Sequence, residues 1–259
     1  MPNFNRDKYL ERLRYDKRAT ESLNCLKSHS IFNYGTLTLP LWLQAPYLAY
    51  EDFIKKYLDI DHIALEIGAG SGSFTLPLLL YSKHTISTDI SIKSLDLLRL
   101  RYADAKNLTT HVCDMESLAF RDNTFDLVAS AGSLSYGDSS LVMNEIYRVL
   151  KPGGHFVCVD SLAGNPIYWL NRLVNYWRGK RTFSTLKRIP TIALLESYQR
   201  KFCRAELLFF GAFTWISPLM VLFIGEAKTA ELSDMVDTLL KVNMFAFKFV
   251  MVVQKPFSK

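Results

Sequence analysis

Beyond about residue 58 the chain alternates short apolar runs with helix-length amphipathic segments. Ile63–Ile67, Thr85–Asp89, Thr110–Cys113, Leu127–Ala131 and His155–Asp160 are predicted strands, and roughly Ser73–Tyr81, Ser91–Asn107 and Ser139–Leu150 predicted helices. This rhythm is that of βαβ units, in which helices cover a parallel sheet. Lys151-Pro152-Gly153-Gly154 stops the last helix, because neither Pro nor Gly continues one without cost. Upstream, Asp7–Leu26 reads as a charged amphipathic helix, and about Tyr47–Leu58 as a second. Residues 1–58 are therefore expected to form a helical extension, and residues 59–259 the main domain.

After Ser161 the pattern changes. Asn165 to about Arg204 is aromatic, basic and helical in period, with breaks at Gly179 and Pro190. Strand-like sequence returns at Ala205–Phe213 and Phe245–Gln254, around an amphipathic helical stretch from about Pro218 to Val242. The expectation is one α/β domain with helical lid insertions at about 162–204 and 214–244. Leu207–Gly225 holds nineteen consecutive uncharged residues, the length of a membrane span. It also contains Gly211, Thr214, Ser217 and Pro218, so a buried strand followed by an apolar helix is the preferred reading, with peripheral membrane contact left open.

Composition adds little beyond excluding disorder and fibres: 49% of the 259 residues are hydrophobic and 22% charged. Charge is more informative. The chain carries +6, yet Ser161–Arg204 alone holds nine Lys/Arg against the single acid Glu196. A basic stretch on a near-neutral body points to an anionic partner met at one place. Arg172, Arg178 and Arg181 are its candidate ligands, since guanidinium forks bind phosphate or carboxylate bidentately; a solvated helix face is the competing reading. Four cysteines without CxxC spacing read as reduced thiols of a cytoplasmic protein, with no metal site expected. The polar, charged start of the chain is not that of a secretory signal.

The chemistry concentrates where the first predicted strand runs into Gly68-Ala69-Gly70-Ser71-Gly72 and then a helix. Glycines let a ligand approach the backbone, and a helix start offers free N–H groups. A dinucleotide site would want glycine at 73, where Ser73 stands. Asp89 ends the second strand, twenty-one residues after Gly68, where an acid can accept hydrogen bonds from a ribose diol or simply cap the next helix. Asp114, after the third strand, can accept from an adenine amino group, with Met115 over the ring.

These motifs resemble the class I S-adenosylmethionine-dependent methyltransferases of the ubiquinone/menaquinone C-methyltransferase type. The resemblance runs from about Tyr47 to Ser161 and rests on Glu66-Ile67-Gly68-Ala69-Gly70-Ser71-Gly72, Asp89, Asp114-Met115, Phe125-Asp126-Leu127-Val128 and Val149-Leu150-Lys151-Pro152-Gly153-Gly154. It implies a Rossmann-like, seven-stranded, mostly parallel sheet with an antiparallel last strand. It also implies S-adenosyl-L-methionine held by Glu66, Gly68, Ala69, Gly70, Gly72, Asp89, Ile90, Asp114, Met115 and Ser130.

The acceptor side is less specified. The proline-rich motif that nucleic-acid amino-methyltransferases carry after the fourth strand is replaced by Ser130-Ala131-Gly132-Ser133-Leu134-Ser135-Tyr136-Gly137-Asp138, so no nucleic-acid partner is expected. That stretch and the basic segment are similar to methyltransferases encoded among bacterial surface-polysaccharide genes. The expected acceptor is a small or carrier-linked anionic molecule, and the resemblance implies a glycan precursor. Tyr47 is a further candidate substrate contact. A hydrophobic quinone or other lipid-like acceptor, a nucleotide-binding oxidoreductase and a non-catalytic cofactor-binding protein are the alternatives. Asp160, with Tyr136 and Asp138 competing, is the candidate base; His111 and His155 are expected to be structural. Oligomeric state is not indicated.

Overall fold

The computed structural model describes residues 2–26, 35–178, 182–212, 214, 216–240 and 243–257. Seven strands form one sheet: β1 (Ile63–Ile67), β2 (His84–Asp89), β3 (Leu108–Val112), β4 (Phe125–Ala131), β5 (Leu150–Ser161), β6 (Ala205–Phe210) and β7 (Lys248–Gln254), in the spatial order β3-β2-β1-β4-β5-β7-β6. Strands β1 to β5 pair in parallel, and β7 runs antiparallel to both β5 and β6. The expected Rossmann-like architecture is thus present, with the last strand inserted between β5 and the edge.

Two-residue alternation divides the core between the sheet's two faces. Phe156 and Cys158 of β5, with Met251 and Val253 of β7, face α5 (Ser139–Val149) and α8 (Ile192–Lys201), where Val142, Ile146, Leu195 and Tyr198 are buried. Val157, Val159, Val250 and Val252 face α2 (Ala45–Tyr57) and α3 (Leu76–Tyr81), around Tyr50, Ile54 and Leu78. Truncating such a leucine or isoleucine to alanine typically costs about 2–5 kcal/mol. Leu95, Leu98 and Tyr102 of and just after α4 (Ile92–Arg101) form a third, smaller cluster.

Two expectations need correction. The 162–204 segment comprises α6 (Pro166–Trp177), α7 (Phe183–Lys187) and α8, but α8 packs on the sheet, with Tyr198 stacked on Phe156 at 5.6 Å. Only the α6–α7 part stands off the sheet: α8 buries Leu195 and Tyr198 in the core, whereas the one buried residue of α6 is Arg172. The Leu207–Gly225 run is indeed a strand and a helix, α9 (Ser217–Ile224), followed by α10 (Glu226–Leu240). However, β6 is a half-exposed edge strand, and Leu222 and Phe223 of α9 are 80% and 79% exposed. Among the described residues no helix is long and apolar enough to cross a membrane.

The N-terminal helix α1 (Pro2–Leu26) is more than an extension. It packs along α4 and lies over the carboxyl ends of β1–β3. Thr182, at the start of α7, donates its hydroxyl to Glu11 at 2.9 Å, joining α1 to the lid.

Candidate active site

A cleft of about 430 Å³ opens at the carboxyl ends of the parallel strands, where doubly wound sheets bind ligands. Gly68, Ala69 and Gly70 line it on one side, Asp89 and Ile90 on the next, and Asp114 and Met115 on the third. The turn after β1 needs its glycines. Gly68 has φ +64°, and a Cβ there would lie 2.3 Å from the Ser133 Cβ. Gly70 has φ +55° and open space where a Cβ would be, so its backbone is exposed to whatever fills the cleft.

Asp89 has two tasks. Its Oδ2 accepts from the Gly70 N–H at 2.9 Å and its Oδ1 from the Ser91 N–H at 2.8 Å, so it clamps the glycine turn while bordering the cleft. Burial raises its pKa, against the lowering effect of those N–H donors. Asp114 accepts from the Glu116 N–H at 3.0 Å and pairs with Lys8 of α1, which also reaches Glu116 at 2.7 Å.

Three residues expected at the cofactor lie behind the cleft wall. Glu66 is 2% exposed and accepts hydroxyl hydrogen bonds from Thr75 at 2.8 Å and Ser87 at 2.7 Å, fastening the turn to β2 from below. Burial outweighs those hydroxyls and raises its pKa to about 7. Ser130 is fully buried against Ser133 at 2.7 Å, and Gly72 faces Leu98 and Tyr102. Each sits on or beside a motif but one layer too deep, a depth that spacing does not encode.

A second chamber, of about 320 Å³, adjoins the cleft; Gly132 and Tyr136 line both. Its other walls are Leu39, Leu43 and Tyr47, then Asp160 and Ser161 at the end of β5, Tyr168 and Arg172 on α6, and Phe247 and Lys248 at the start of β7. Asp160 is 1% exposed, accepts from the Leu134 N–H at 2.9 Å and from its neighbour Ser161 N–H at 2.6 Å, and has its pKa raised by burial. Tyr136 meets Tyr15 of α1 edge-on, with ring centroids 5.6 Å apart.

The remaining expectations fall elsewhere. Asp138 is the N-cap of α5, accepting from Ser140 and Leu141 at 3.0 and 3.2 Å, and lines neither cavity. A short acceptor side chain before a helix serves this purpose. Arg178 is the exposed C-cap of α6 and also lines neither cavity, since it lies nearly two turns beyond Arg172 at the far end of the helix. Arg181 lies outside the described residues. His155 stacks on Tyr57 at 4.2 Å, at the opposite edge from the cleft, with burial lowering its pKa to about 4. Cys113, Cys158 and Cys203 are free thiols. Among the described residues no cluster of metal ligands occurs.

Sequence reasoning missed the α1 wall of the cleft, including Lys8, Tyr15 and Arg18, and it missed Lys248 and Tyr168 in the chamber. Only the amphipathic charge of α1 hinted at a role; nothing local marked Lys248.

A family model described as a methyltransferase domain matches residues 65–158. The ubiquinone/menaquinone biosynthesis C-methyltransferase of Desulfotalea psychrophila is 42% identical over 83 residues, which are 31% of this chain and 33% of that protein. Among solved structures, the geranyl diphosphate C-methyltransferase of Streptomyces coelicolor A3(2), in complex with Mg²⁺, geranyl diphosphate and S-adenosyl-L-homocysteine, superposes with a TM-score of 0.55. Identity is 15%, over 80% of this chain and 78% of that one. Phospholethanolamine N-methyltransferase 2 of Haemonchus contortus, in complex with phosphomonomethylethanolamine and S-adenosylhomocysteine, gives 0.56 at 17% identity, over 81% and 52%. The chain spans a third to about half the length of curated relatives that it matches by sequence.

Proposed function

We propose that this chain, whose residues 65–158 match a family model described as a methyltransferase domain, is a class I S-adenosylmethionine-dependent methyltransferase that transfers a methyl group to a small or carrier-linked acceptor seated in the second chamber. The observation that carries this reading is the junction at Gly132 and Tyr136, which joins a nucleoside-sized cleft to a separate chamber holding a buried carboxylate.

The cleft's residues fit S-adenosyl-L-methionine. Its volume falls within the usual range of ligand sites, Gly70 leaves room against the backbone, Asp89 and Asp114 offer carboxylates for ribose and adenine, and Ile90 and Met115 offer apolar walls. When bound, the cofactor supplies a methyl group on a sulfonium sulfur, already activated for displacement. The chain's contribution is to orient the acceptor in line with that methyl and to keep water out. Asp160 takes the acceptor's proton where the attacking atom carries one; burial raises its pKa, which makes it a stronger base than an exposed aspartate. Tyr136, at the junction, orients the attacking atom.

An anionic acceptor, such as a sugar acid or phosphorylated glycan precursor, suits a chamber bordered by Arg172 and Lys248 better than a neutral quinone does. Two structural relatives hold phosphorylated small molecules, which supports the same direction. The free thiols favour a cytoplasmic setting, and the exposed apolar residues of α9 favour peripheral membrane contact. Calorimetric titration tests the cofactor: S-adenosylhomocysteine should bind and NAD should not, and the reverse overturns the reading. Methyl transfer from labelled S-adenosylmethionine to a panel of sugar nucleotides, phosphorylated sugars and quinones tests the acceptor; incorporation confined to quinones removes the anionic class.

A further inference from the structure

Arg172 is 6% exposed and Lys248 8%, and both line the second chamber. Burying two cations without anionic partners is costly. Yet among the described residues neither stands in an ion pair or donates a hydrogen bond to a carboxylate, and Arg172 Nη1 is buried with no hydrogen-bond partner at all.

The guanidinium is also fixed in place. Its Nε donates to the Tyr168 hydroxyl oxygen at 2.5 Å, and the Tyr168 hydroxyl donates to Ser161 Oγ at 2.7 Å. It stacks over the Tyr168 ring, 4.8 Å from the centroid. With Nε and one face occupied, the Nη edge is left for something else. Across the chamber, Lys248 Nζ lies 5.0 Å from the Tyr47 ring centroid and 5.4 Å from that of Phe247, contacts that hold an ammonium without neutralising it. The antiparallel pairing of β5 and β7 sets Lys248 opposite Ser161. Asp160 offsets only one of the two charges. Leu39, Leu43, Tyr47 and Phe247 make the rest of the wall apolar or aromatic.

We infer that Arg172 and Lys248 form an oxyanion clamp for the acceptor, so that the substrate is a molecule with an apolar or ring body and a phosphate or carboxylate head. An oxyanion accepts from the Nη edge of Arg172 and from the Lys248 ammonium together. The clamp anchors the head, and Asp160 faces the body. This inference rests on the acceptor reading of the chamber proposed above.

The test uses the full chain saturated with S-adenosylhomocysteine and titrated calorimetrically with inorganic phosphate, pyrophosphate and malonate at low salt. At least one should bind saturably. Lys248→Gln and Arg172→Gln should each weaken it roughly ten- to a hundredfold, as expected for loss of one charged hydrogen-bond partner. Arg178→Gln, which alters an exposed cation outside the chamber, should not. Binding of phosphate or pyrophosphate but not malonate assigns a phosphate head, and the reverse assigns a carboxylate. Should Arg172→Gln fail to fold, Lys248→Gln decides, with Lys248→Arg expected to restore binding. No saturable binding, or equal weakening by Arg178→Gln, overturns the clamp. S-adenosylhomocysteine affinity should be unchanged throughout; its absence in the parent chain overturns the cofactor reading instead, so the two failures are distinct.

Discussion

The two cavities on the carboxyl edge of the sheet are built in different ways. The larger cleft has as its floor the ends of β1, β2 and β3 and the turns that follow them, so the polar groups it offers there are backbone amides and carboxylates at fixed places in the chain. The chamber takes its walls from the 39–47 segment, the end of β5, α6 and the start of β7. The floor of the first is framework-built and carries the carboxylates of Asp89 and Asp114, with α1 as an added wall; the second places the cations Arg172 and Lys248 around Asp160 and takes more of its lining from outside the sheet. A fold can keep the first while exchanging the second, which is how one scaffold serves many acceptors.

Four substitutions sharpen or break this division. Asp160→Asn belongs to the chamber: loss of a general base should lower kcat by about 10²–10⁴-fold, with S-adenosylhomocysteine affinity intact. A parallel loss of cofactor affinity would show that the carboxylate serves only to hold the Leu134 N–H. Glu66→Gln belongs to neither cavity. With its pKa at about 7 in the folded chain, above the ordinary 4.5, folding takes up a proton between these values, and stability falls as pH rises through that window. Above the window the ionised form costs up to about 3 kcal/mol, at 1.36 kcal/mol per pKa unit. Glu66→Gln should therefore flatten the decline in Tm between pH 5 and 8, whereas a decline as steep as the parent's would clear Glu66. Asp89→Ala belongs to the cleft and should cost roughly 1.5–3 kcal/mol of cofactor affinity; parent-like binding would leave Asp89 as the clamp of the glycine turn alone. Smallest, Arg178→Gln should leave turnover unchanged within error, and a raised acceptor KM would extend the chamber to the end of α6.

The same division explains what could be read in advance. The β1–β5 rhythm and the Gly68–Gly72 turn are local patterns, so the parallel strands and the glycine-turn side of the cleft could be read from spacing, while the antiparallel end of the sheet came only from the family resemblance and the α1 wall from neither. Asp160 and Arg172 were legible too, one at a strand end and the other in a basic segment. Lys248 was not, because it becomes a chamber residue only through β7 lying beside β5, a pairing made across some ninety residues that no local period announces. Arg178 misled because charge counts do not say which way a helix points. Glu66 misled because a motif position does not reveal whether a side chain rises into the cleft or sinks beneath it.

The placement of β7 also governs the order in which the molecule is completed during synthesis. Strand β6 pairs only with β7, and the outer edge of β5 is covered only by β7, so the emerging chain carries a gap in its sheet until Lys248–Gln254 arrives. Until then Phe156–Val159 presents an apolar strand with open hydrogen-bonding groups, the kind of edge on which chains associate wrongly. Closing that gap finishes the sheet, seals both halves of the core and delivers the Lys248 ammonium in one event. No shortened product of translation lacking these residues holds a cation opposite Ser161, and the second chamber is walled only once β7 is in place.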